Sequence, residues 1–87
     1  MALTAYRFAF TEHTRVRVPL DWAMTQSNLS SALLSLGKRE GGTARLEEAR
    51  IAIQLAQEVY WEFDMREEFS WLDARLRAVD RLIASRS

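Results

Sequence analysis

The side chains best suited to chemistry in this chain are scattered and short of partners. His13 is the one histidine and there is no cysteine, so a zinc site built from imidazole and thiolate lacks its donors. Nor does a second group stand with His13 to make it a general base, and it is expected as a partly exposed residue at a helix end. Glu47, Glu48, Glu58, Glu62, Glu67 and Glu68 supply carboxylates on helical segments. A di-iron bundle, however, needs Glu-x-x-His on two helices, and that motif does not occur. Ser27, Ser30, Ser31 and Ser35 have neither a histidine in the same helix pair nor the strand-turn-helix elbow that activates a serine. The run GKREGG places Lys38 and Arg39 between glycines, without the order or the preceding strand of a phosphate-binding loop. No catalytic set assembles from these residues. The expectation is a non-enzyme with no metal and no cofactor.

Three tryptophans remain as candidates for recognition. Trp22 and Trp71 are expected to seal helix junctions. Trp61 stands beside Tyr60 and Phe63 at the end of a helix, where an exposed aromatic cluster would be a binding hot spot. Aromatic side chains at helical spacing more often pack in the core or at a junction, and that is the expectation for Trp61 as well.

The elements that position these residues are helical. In residues 19–36, Trp22, Leu29, Ala32, Leu33 and Leu36 fall into an i, i+3/i+4, i+7 stripe, and Leu46, Ala49, Ile53, Ala56 and Tyr60 do the same in residues 43–62. Pro19 suits a first helical turn, and Val18 before it is driven toward extended backbone. Gly37 is expected as the C-cap of the first of these helices and residues 37–42 as a charged loop, with Thr43 as the N-cap of the second. Arg45, Arg50, Gln54 and Gln57 are expected to point outward. Asp64-Met65-Arg66-Glu67 has the D-x-x-E form of a capping box, which predicts a further helix over residues 65–84. Its stripe is Phe69, Leu72, Leu76, Val79 and Ile83, with an Asp73/Arg77 pair on the opposite face. Residues 2–14 form another helix, with Tyr6 and Phe10 on one side and Phe8 about 200° away at 100° per residue. The fold class is all-α, built of antiparallel helical hairpins in about four helices, with a strongly specified hairpin at its centre.

The stretch PLDWAMTQSNLSSALLSLGKREGGTARLEEARIAIQLAQEVY resembles a tetratricopeptide repeat of the bacterial type that begins near P-L-D-W-A and carries a longer inter-helix loop. The family's N-L-G run becomes Asn28-Leu29-Ser30, its large apolar residue one turn later is Leu33, and its Ala, Tyr/Phe and Ala are Ala49, Ile53 and Ala56. The resemblance implies a right-handed α-solenoid fragment forming one domain over residues 1–87: half a repeat at 2–14, a full repeat at 19–62 and a capping helix at 65–84. The chain would be the C-terminal part of a longer repeat array. It also implies a scaffold that binds a protein or peptide along the inner face of its first helices, here Met24, Ser27, Asn28 and Ser31, with Arg50 at the edge.

Twelve basic and twelve acidic residues cancel, so no net field draws the chain to nucleic acid or to an anionic membrane. No apolar run approaches the roughly 18 residues that span a bilayer, and the absence of cysteine fits a reducing cytoplasm. The N-terminus is acid-poor and arginine-bearing, yet it fits a repeat helix better than a transit peptide. With an apolar residue on two sides of the 2–14 helix, the second functional reading is self-assembly. Tyr6, Phe8 and Phe10 would then pair two copies as a homodimer.

Overall fold

A computed structural model describes residues 18–86. The expected helix over 2–14, with Tyr6, Phe8, Phe10 and His13, lies outside those residues. Within them the chain is all-helical: α1 (Pro19–Glu40), α2 (Ala44–Glu62) and α3 (Arg66–Arg86), with no strand. Pro19 occupies the first turn of α1, and the amide of Trp22 donates to the carbonyl of Val18 at 2.9 Å.

Both turns differ from their expected form. Gly37 is not a C-cap. Helix α1 continues through it to Glu40, and Gly41, at φ 81°, ends the helix in the left-handed region that glycine enters without penalty. Gly37 instead lets α2 approach, since a Cβ at that position would lie 2.7 Å from Leu46 Cδ2 and 3.3 Å from the Leu46 amide nitrogen. Thr43 precedes α2, but its side chain makes no capping hydrogen bond. At the second turn Asp64 is not the cap of α3. It lies at φ 55°, with its amide bonded to the Trp61 carbonyl at 3.1 Å and that of Met65 to the Tyr60 carbonyl at 2.9 Å. This pair of bonds is a Schellman closure of α2, with Asp64 in the place usually held by glycine. Its carboxylate accepts from Arg66 Nε at 2.9 Å, and α3 starts at Arg66 rather than Met65.

Two cross-links set the helix directions. Arg75 of α3 reaches Ser27 of α1, and Arg86 of α3 reaches Gly37 and Lys38 of α1. Both partners advance together along their helices, so α1 and α3 run parallel and α2 runs back between them. The three form a slab of 36 × 30 × 15 Å. Because α2 has a neighbour on each side, it supplies much of the core: Leu46, Ala49, Ala52, Ile53, Ala56, Val59 and Tyr60 are all buried. Its alanines keep the neighbouring backbones close. Leu72 and Val79 close the core from α3.

The face of α1 turned inward is not its leucine-rich one. Trp22, Ala23, Gln26, Ser27, Ser30, Leu33 and Gly37 are buried, whereas Leu29 is half-buried and Ala32 and Leu36 are exposed. Gln57, expected outward, is buried and donates from Nε2 to the Phe69 carbonyl at 3.3 Å. The Asp73–Arg77 pair forms as expected, at 3.1 Å. Gln26 is 1% exposed, and among the described residues its Oε1 has no hydrogen-bond partner. An orphaned buried acceptor costs about 1–3 kcal/mol, so Gln26→Met, similar in length and without the acceptor, should raise stability by about 1–2 kcal/mol. A urea melt that shows Gln26→Met less stable than the parent would mean that the amide is satisfied in solution.

Candidate functional site

The parallel placement of α1 and α3 creates a seam, and Arg75 stands in it. Its Nη1 donates to the Ser27 carbonyl and to Ser30 Oγ, both at 2.9 Å, while Ser30 Oγ donates to the same carbonyl at 2.6 Å. The guanidinium carbon lies 4.0 Å from the centre of the Trp71 ring. That geometry follows from sequence spacing, because residues 71 and 75 are one helical turn apart and share a face. Burial pulls the Arg75 guanidinium below its ordinary value, though an arginine keeps its charge in a protein. Other arginines are paired with acids: Arg45 with Glu48, Arg50 with Asp80, Arg66 with Asp64 and Arg77 with Asp73. Among the described residues Arg75 has no carboxylate within 4.0 Å. A cation held on one edge by fixed acceptors and on its face by a ring is preorganised for a further acceptor.

Beside this seam, α1 carries three of the residues expected to bind a partner. Met24, Asn28 and Ser31, at i, i+4 and i+7, form one exposed stripe, with Met24 53% exposed. Ser27 is brought to the same seam but is 7% exposed, and its carbonyl is the contact it offers to Arg75. Arg50 does not join them: it lies on α2 and pairs with Asp80 of α3 at 3.1 Å. Ser30, read as a small substitute for a close-packing glycine, is fully buried and holds Arg75 through an oxygen that glycine lacks.

Of the tryptophans only Trp22 is sealed in the core. Trp71 is 57% exposed and Trp61 72% exposed, so neither plugs a junction. Trp61 instead packs its ring against Phe69, centroids 5.5 Å apart. Arg75 is absent from the sequence-based candidates, although the W-x-x-x-R spacing of Trp71 and Arg75 could have found it. Arg86 is absent as well. It donates to the carbonyls of Gly37, Lys38 and Gly42 at 2.7, 3.3 and 3.0 Å, a cation placed on the electronegative end of α1.

Among the described residues no three histidine, cysteine or acidic side chains gather closely enough to hold a metal, and no helix is long and apolar enough to cross a membrane. Comparison with family models, curated proteins and solved structures finds no match to this chain.

Proposed function

We propose that the chain is a non-catalytic protein-interaction module of tetratricopeptide type, a piece of a right-handed α-solenoid in which α1 and α2 form one repeat and α3 caps it. A partner segment lies along the exposed stripe of α1 and over the α1–α3 seam, touching Met24, Asn28, Ser31, Trp71 and Arg75. The observation that carries this reading is the Arg75–Trp71 pair. A guanidinium with no acid partner among the described residues, stacked on an exposed tryptophan, gives the polar stripe an anchor of the kind found at binding hot spots.

Photo-crosslinking tests it. A crosslinker at Ser31 should capture a partner that one at Gln54, exposed on α2, does not. Asn28→Ala should weaken that partner's binding about tenfold, or ~1.4 kcal/mol, with the unfolding midpoint unchanged. Equal capture at both positions, or an Asn28→Ala variant that unfolds yet binds when folded, would remove the seam from the account.

A second reading is favoured by the exposed apolar residues on α1 and just before it: Val18, Leu20, Met24 and Leu36 are each 39–53% exposed. In it the chief partner is another copy of the chain, joined as a homodimer through Tyr6, Phe8 and Phe10. Sedimentation across a hundredfold dilution separates the two, because a species near 10.1 kDa at every concentration leaves the monomeric scaffold alone.

A further inference from the structure

The corner where α2 turns into α3 carries an aromatic ridge. Trp61, in the last turn of α2, is the most exposed large apolar residue described, at 72%. Its ring meets Phe69 in the first turn of α3 at an interplanar angle of 55°, and Phe63, in the turn itself, is 47% exposed. Single exposed apolar residues are ordinary, but several gathered at one corner form a surface that water covers poorly. The ridge divides two hollows. On one side a recess of about 230 Å³ is lined by Tyr60, Trp61, Met65 and Phe69 together with the Asp64–Arg66 pair and Ser70. On the other side a shallower hollow is bordered by Gln57, Glu58 and Glu62.

The charge that residues 58–68 bring to the ridge is mainly acidic. Residues 58–68 contain Glu58, Glu62, Asp64, Glu67 and Glu68 against a single cation, Arg66, and that cation is bound by Asp64 at 2.9 Å. The negative potential reaches into the recess. The Tyr60 phenol is held above its usual 10.0, first by burial and then by the Glu68 carboxylate.

We propose that this corner is a second docking surface, for a partner segment that presents an arginine or lysine beside a large aliphatic side chain. The aliphatic group enters the recess between Tyr60, Met65 and Phe69. The cation lies on the exposed Trp61 face within reach of Glu62, combining ring and carboxylate attraction. An acidic segment is repelled from the same place. The chain therefore offers two chemically opposite surfaces, a cationic seam at Arg75 and an acidic aromatic corner at Trp61.

The probe is a fluorescent peptide of alternating arginine and leucine, compared with a glutamate–leucine and an arginine–serine peptide in anisotropy titrations at physiological salt. The arginine–leucine peptide should bind about tenfold or more tightly than either comparator, and Trp61→Ser should lose about tenfold of that affinity. Glu62→Lys should weaken binding severalfold, and Asn28→Ala, on the seam, should leave it unchanged. Both corner substitutions fall on exposed side chains, so thermal melts matching the parent will show that the fold persists. Equal binding of the arginine–serine peptide would reduce the effect to charge alone and overturn the proposal. Equal binding of the glutamate–leucine peptide, or a Trp61→Ser variant that binds as the parent does, would do the same. If Asn28→Ala abolishes binding of the arginine–leucine peptide, the peptide lies on the seam and the proposal fails. If Trp61→Ser instead converts a dimer to a monomer in sedimentation, the ridge is a contact between copies and the proposal fails.

Discussion

Replacing Trp22 with alanine should leave most of the chain unfolded at room temperature. Trp22 is the largest side chain in the described core and is fully buried, in a slab whose described residues form three helices. Deleting a buried tryptophan costs about 3–5 kcal/mol, including the cavity left behind. A chain of this size has a total stability of roughly 4–13 kcal/mol, at about 0.05–0.15 kcal/mol per residue, and a thin slab belongs at the lower end. Trp61→Ala and Trp71→Ala remove the same atoms from exposed positions and should each change stability by less than about 1 kcal/mol. Leu33→Ala, 2% exposed in the parent, should fall between, at about 2–4 kcal/mol. Urea melts of the four variants give the ranking directly. A Trp22→Ala variant as stable as Trp61→Ala would mean that the core is not where the structure puts it.

The second large effect belongs to Gly37. Had residues 37–42 been a surface loop, a side chain there would have met open water. In the helix, the Cβ of any residue meets Leu46, whose side chain is fully buried and whose backbone nitrogen is 3.3 Å away. Gly37→Val should therefore cost about 2–3 kcal/mol by forcing α1 and α2 apart, the usual penalty of overpacking. Gly37→Ala sets about 1 kcal/mol of better helix propensity against the same contact, and should show little of that gain. Gly42→Ala, with nothing within 4 Å, should be close to neutral. Combining Gly37→Ala with Leu46→Ala should cost less than the sum of the two, because the second change removes the atoms the first strikes. Additive costs would show that Gly37 and Leu46 do not touch.

How legible each helix was depends on how much of its surface is apolar. Helix α2 presents Leu46, Ala49, Ile53, Ala56 and Tyr60 at helical spacing, and all five are buried. With a neighbour on both sides, α2 covers most of its apolar positions, though Ile51 and Trp61 stay exposed. Helix α1 was harder to read. Its leucines at 29, 33, 34 and 36 spread around half the cylinder, so hydrophobicity alone could not say which side faces α2. The small residues decided it. Ser27, Ser30 and Gly37 permit close approach, and the Ser27 carbonyl and Ser30 hydroxyl, already bonded to each other, both accept from Arg75 once α3 lies alongside.

By itself the sequence determined local matters: helices begin at Pro19 and shortly after Thr43 and Asp64, a glycine turn separates the first two, and Asp73 meets Arg77 one turn away. These depend on backbone preference and spacing within a few residues, which the chain carries wherever it goes. The tertiary structure decided what depends on residues far apart in sequence. Gly37 became a point of contact instead of a stop, because Leu46 returns to meet it. Asp64 closed α2 rather than opening α3, because the chain had to reverse there at φ 55°. Arg75 became the centre of the candidate site because its acceptors lie 45 and 48 residues earlier in the chain. No window of sequence that short-range periodicity can read contains both ends of such a bond.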